Sequence, residues 1–193
     1  MSAGPRSIGV TDELLARVLT PYRDNCRYLK SAVVELPGHA RAGDPQAVIY
    51  GRLAIGESCY IQDTGHFNSV EFNLCYNQLV YALMAQVVVG GLLPAFESWT
   101  LDEYLARQLP DVLIHDFSSK FHRPMATGDF EGTVEIVDAV QRSRFLLVHT
   151  RCSFRDDAGG HSHGDVSLAI VDRAAGTASR ERRAAAAPDV SHS

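Results

Sequence analysis

Between Tyr60 and Gln78 the sequence crowds Tyr60, Asp63, His66, Asn68, Glu71, Asn73, Asn77 and Gln78 ahead of and into an otherwise apolar stretch. An unpaired buried polar group costs about 1–3 kcal/mol, so this density needs partners or a chemical purpose. The chemistry such a place offers is stabilisation of a developing oxyanion. A helix beginning near Asn68 presents backbone N–H groups and the positive end of its dipole there. Asn68 adds an amide N–H and Tyr60 a phenol, so a thioester carbonyl lodged at this point is polarised.

Each residue also has a plainer role open to it. Asn68 is a favoured N-cap residue, and capping does not preclude donation to a substrate. His66 is a general base by its near-neutral pKa, or a loop histidine bonded to backbone. Glu71 falls in the first helical turn, where a carboxylate is stabilised anyway; it is a candidate substrate-binding residue with that structural role beside it. Asn77 is a second such candidate, although Asn73, Asn77 and Gln78 can equally bond across a dimer seam.

These residues need a scaffold. Thr11–Thr20 has a cap, acidic residues at its start and Pro21 at its end, and is expected to be helical. Ser31–Leu36 and Ala47–Ile55 have strand patterns; in the second, Ala47, Ile49, Leu53 and Ile55 share a face opposite Val48, Tyr50 and Arg52. Asn68–Val89 is a long helix, apolar nearly all round beyond Leu79 and therefore covered on every side. Leu101–Gln108 opens with capping-box spacing at Thr100 and Glu103. Phe130–Val137, Arg144–Phe154 and a strand ending at Val166–Val171 alternate as antiparallel strands, the last two joined by the Asp156–Gly160 turn; Asp111–Phe121 is a weaker strand. A long helix wrapped by a curved antiparallel sheet is the α+β hotdog arrangement. Residues 1–172 are expected to form that single domain and residues 173–193 a mobile tail. Its exposed sheet edge calls for a homodimer or a higher multiple of dimers.

Composition excludes several classes. The chain has 193 residues, 46% hydrophobic and 21% charged, with net charge −5, and lacks the basic stripe of a nucleic-acid surface. The one basic cluster, Arg180–Arg183, lies in the Ala-rich tail and fits solvated disorder. The apolar run Leu79–Phe96 is broken by Gln86, Gly90, Gly91 and Pro94, so a core helix is expected rather than a membrane span. Met1–Val10 has no apolar secretory segment. Cys26, Cys59, Cys75 and Cys152 show no zinc spacing, so reduced thiols in the cytoplasm, no metal and no cofactor are expected.

Gly56-Glu-Ser-x-Tyr-Ile-x-x-Thr-Gly-His-Phe-Asn-x-Val-Glu71, followed by Cys75-aromatic-Asn-Gln-Leu-x-Tyr81, resembles the FcoT-type hotdog proteins. The resemblance runs from Leu14-Leu-Ala-Arg-Val-Leu-x-Pro-Tyr22 through Cys26-Arg-Tyr-Leu29 to Ser118-Ser-Lys-Phe-x-x-Pro124. It implies either a long-chain fatty acyl-CoA thioesterase or a (2E)-enoyl-[acyl-carrier-protein] glycyltransferase of isonitrile lipopeptide biosynthesis. It also implies that Tyr22, Tyr60 and Asn68 are active-site residues.

Hydrolysis requires a water and a base, and Asp63 and Glu71 are the only acids between Tyr60 and Gln78. Conjugate addition of glycine requires an oxyanion site, a base for the ammonium and a cation for the carboxylate. Tyr60 and Asn68 supply the first and His66 the second. Lys120, His122 and Arg123 supply the third, or hold the phosphate of a carrier's pantetheine arm, or form an ordinary surface group. As the resemblance implies, the expected reaction is addition of glycine to an enoyl thioester on an acyl carrier protein. The alternatives are a thioesterase acting on acyl-CoA or acyl carrier protein, and a non-catalytic acyl binder.

Overall fold

A computed structural model describes residues 5–38, 44–62 and 65–171. Asp63, Arg180–Arg183 and the expected tail lie outside the described residues.

The chain forms β1 (Arg6–Gly9), α1 (Asp12–Val18), β2 (Leu29–Leu36), β3 (Ala47–Ala54), α2 (Ser69–Gly90), α3 (Leu101–Arg107), β4 (Val112–Arg123), β5 (Asp129–Gln141), β6 (Phe145–Arg155) and β7 (His161–Val171). The strands make one antiparallel sheet in the order β1-β2-β3-β5-β6-β7-β4. Its concave face holds α2, while α1 and α3 pack on the helix's remaining sides. Every residue from Leu79 to Val88 is thereby buried, which is why that stretch is apolar but for Gln86. By length and composition α2 could cross a bilayer, but 78% of its most apolar window is buried inside the fold, so it is a core helix.

Two paired glycines let the sheet close on the helix. Gly51 and Gly132 face each other in register across β3 and β5. A Cβ on Gly132 would lie 2.7 Å from Leu79, and one on Gly51 2.5 Å from the same side chain. The missing methyl groups make room for Leu79. At its far end α2 stops where Gly91 takes φ +55°, the left-handed conformation that closes a helix.

The sequence pattern locates each long element, and the structure moves several boundaries. The first helix is shorter, Asp12–Val18, with Thr11 as its cap. The strand expected from Ser31 begins at Leu29, and the last strand begins at His161. The weak candidate after Asp111 is a full strand of 12 residues. Its inward pattern is hard to see because it pairs only with β7 and most of its side chains are exposed. β1 went unread because only Ile8 of its four residues is sheltered.

Candidate active site

Asn68 is the N-cap of α2. Its Oδ1 accepts from the backbone N–H groups of Val70 at 2.9 Å and Glu71 at 3.4 Å. Glu71 reciprocates, its carboxylate accepting from the Asn68 backbone at 3.2 Å, which completes a capping box. Glu71 is only 1% exposed and held in this role. The cap occupies the amide oxygen of Asn68, and the donors of this side chain are on its NH2.

Phe67 fixes the approach to this helix start. Its N–H donates to the Met125 carbonyl at 2.9 Å, and its ring sits among Phe72, Phe130 and Phe154 at centroid distances of 5.1–6.1 Å. A cavity of about 430 Å3 opens above it, lined by His66, Phe67, Asn68 and Ser69 on one side and Phe121, His122, Arg123 and Pro124 on the other. The positive end of the α2 dipole lies at this cavity. Consecutive residues of a regular strand face opposite ways. His122 and Arg123 both line the cavity because β4 bulges between Phe121 and Arg123, with His122 as the extra residue opposite β7.

The structure thus brings together His66, Asn68, His122 and Arg123. Lys120 is on the opposite face of β4 from Phe117 and Phe121, whose rings meet Phe72. Tyr60 is half-exposed on the loop before α2 and is not among the residues lining the cavity. Tyr22 packs elsewhere against the core, where burial first, and then Tyr81 and Cys75, push its phenol pKa far upward. It therefore stays protonated and can only donate or accept a hydrogen bond. Asn77 donates to Asn73 at 2.8 Å along the helix.

Gln78 overturns one expectation. It does not face a seam: its Oε1 accepts from the backbone of Tyr28 and Leu29, both at 2.9 Å, and its Nε2 donates to the Cys26 carbonyl at 2.6 Å. A buried amide spends both its ends on one passing segment. Two further features escaped the sequence reading. Ser58 has a buried hydroxyl with no partner among the described residues, inside the motif itself. His161 and His163 stack on His122 at 4.8 and 4.7 Å, and their i, i+2 spacing on a strand was the available signal. A groove of about 480 Å3 on the outer sheet face, between Tyr50, Arg52, Glu131 and Arg155, has no helix start beside it.

A capped helix end opening on a cavity, with the helix wrapped by an antiparallel sheet, defines a hotdog protein. The chain belongs to the FcoT-like thioesterase domain family, whose model matches residues 17–170. It is 45% identical over 170 residues to a (2E)-enoyl-[ACP] glycyltransferase of Streptomyces coeruleorubidus, covering 84% of this chain and 99% of that protein. A protein of the same name from Mycobacterium marinum is 39% identical over 175 residues, covering 89% and 91%. Among solved structures, zebra fish thioesterase superfamily member 2 aligns with a TM-score of 0.46 and 11% identity, covering 82% of this chain and 94% of that one.

Proposed function

We propose that this protein is a (2E)-enoyl-[acyl-carrier-protein] glycyltransferase. It joins the nitrogen of glycine to the β-carbon of an enoyl thioester carried on an acyl carrier protein. The C–N bond forms as the C=C π bond opens, charge collects on the thioester oxygen, and a proton from the nitrogen ends on the α-carbon. The product is a 3-[(carboxymethyl)amino]acyl thioester, the precursor of an isonitrile. The observation that carries this reading is the shared cavity, where a helix N-terminus and Asn68 face Arg123 and His122 at the β4 end. The names of the two relatives agree with it.

Asn68 donates its amide N–H to the enolate oxygen at the positive end of the α2 dipole, whereas Tyr60, outside the cavity lining, is the weaker candidate donor. His66, on the same cavity wall, takes the proton from the glycine ammonium. Arg123 and His122 hold an anion across the cavity, the glycine carboxylate or the phosphate of the arm. Tyr22 serves as a neutral phenol. Hydrolysis is the weaker reading, because Glu71 is tied into the capping box and is poorly placed to activate water. We place the enzyme in the cytoplasm, where free thiols such as its four cysteines stay reduced.

The enzyme works as a homodimer. Among the described residues β4 pairs only with β7 and exposes Leu113 and Ile114, an edge that a second copy covers.

Incubating an enoyl-loaded carrier protein with glycine and enzyme, followed by intact-mass measurement, tests the reaction. A mass gain of one glycine is expected. Free acid alone makes the protein a thioesterase, and an unchanged carrier makes it a non-catalytic binder.

A further inference from the structure

We propose that His161 and His163 of β7, together with Lys120 and the His122 that they enclose, form the docking surface for the phosphodiester of a carrier protein's phosphopantetheine arm. The proposal rests on the carrier-thioester reading above and adds the surface that recognises the carrier. His122 lies between the two β7 imidazoles, with interplanar angles of 13° and 26°, and its Nε2 is 3.0 Å from Nδ1 of His163. Rings stacked and bonded to each other in this way do not converge on a common point, and among the described residues no group of His, Cys, Asp or Glu is arranged to hold a metal ion. The side chains present an anion site instead.

Charge balance points the same way. Lys120 pairs in register with His163, and Arg123 with His161. Neither cation makes an ion pair among the described residues. This concentration of positive groups sits on a chain of net charge −5. The neighbouring acids are mostly engaged. Glu131 is bound by Arg155 at 2.7 Å, and Glu135 by Arg151 at 3.0 Å. The Asp156 carboxylate accepts from the backbone of Ala126 and Gly160. Asp165 remains beside His163 in a groove it shares with Arg151. The patch adjoins the cavity through His122 and Arg123, so an arm whose phosphate rests on it can send its thioester inward.

The imidazoles and Lys120 lower the pKa of His122 by their like charge, after a larger lowering by desolvation. An arriving phosphate reverses the charge effect, so docking takes up a proton. Affinity is then greatest at low pH and falls as pH rises through the histidine range.

The test titrates phosphopantetheinylated carrier protein, without an acyl group, into the full-length enzyme at about pH 6 and about pH 8. Carrier lacking the arm and inorganic phosphate serve as further probes. Wild type should bind more tightly at the lower pH. The His161→Gln/His163→Gln variant should lose about tenfold in affinity at the lower pH. Lys120→Gln should weaken binding at both pH values. Unchanged affinity in the histidine variant, or equal binding of carrier without its arm, would overturn the proposal. Lys120→Gln keeps the question answerable if the histidine variant misfolds. Glycine addition is followed separately on a (2E)-enoyl-pantetheine thioester; its failure in wild type removes the proposed reaction and leaves the docking result to stand on its own titration.

Discussion

Gln78 and Cys26 are 52 residues apart, yet the side-chain amide of one donates to the backbone carbonyl of the other at 2.6 Å. The same side chain accepts from the next two buried backbone N–H groups, Tyr28 and Leu29. It therefore clamps the segment between Tyr22 and β2 onto the middle of α2. Gln78→Leu keeps the volume and strands three backbone groups. With each orphaned group costing about 1–3 kcal/mol, a total loss of several kcal/mol is expected in urea unfolding. A loss under about 1 kcal/mol would mean that water replaces the clamp.

Asn68 performs two tasks that a pair of variants separates. Asn68→Asp keeps a cap oxygen but has no amide N–H; Asn68→Ala loses both. Aspartate should leave the melting temperature nearly unchanged while turnover falls about 100-fold or more, as for a lost oxyanion donor. Alanine should also cost stability, about 1 kcal/mol. Activity retained in Asn68→Asp would reduce the residue to a cap.

Gly132 is a packing device. An added methyl group would come within 2.7–2.8 Å of Leu79, Leu53 and Phe154. Gly132→Ala should destabilise the fold by about 1–3 kcal/mol through overpacking. Calorimetric unfolding reads this directly, and a neutral result would show that the sheet can relax away from α2.

The thiols should report burial. Burial, then Glu71 and Cys59, pushes the Cys75 pKa well up; burial, then Asp165, pushes Cys152 up to about 12. Both shifts disfavour the thiolate, so raising the pH toward about 9 should expose neither to a thiol reagent in the native state. Cys59, partly exposed, should react first, and all four should react in denaturant. Fast native labelling of Cys75 would place it in a reactive environment after all.

The edge of β4 predicts the assembly. Replacing exposed Leu113 and Ile114 with lysine should shift sedimentation from dimer to monomer without unfolding the chain, since charge on an edge strand blocks pairing. A dimer that survives the double substitution uses another surface.

How much of this was legible beforehand depended on whether a residue's job is local. Asn68 as N-cap and Glu71 in the first turn follow from residue types within four consecutive positions, and the covered half of α2 from a composition apolar but for Gln86, so both could be read. Gln78 bonds to a segment 50 residues away, and no spacing rule announces that. The meeting of His66 and Asn68 with Arg123 depends on which strand end comes to lie over the helix start. That is a matter of topology, and the family motif carried it rather than periodicity. His161 and His163 became meaningful only once β7 was known to lie beside β4.

The bulge at His122 has one further consequence. On one side of it β4 turns phenylalanines toward the helix and Lys120 away; beyond it, two neighbouring residues share the cavity wall. Inserting or deleting a single residue in this strand would exchange the greasy and the charged sides at a stroke. Point substitutions here are graded, whereas changes of length are all or nothing. In divergent relatives this strand should therefore drift in spelling and hold its letter count.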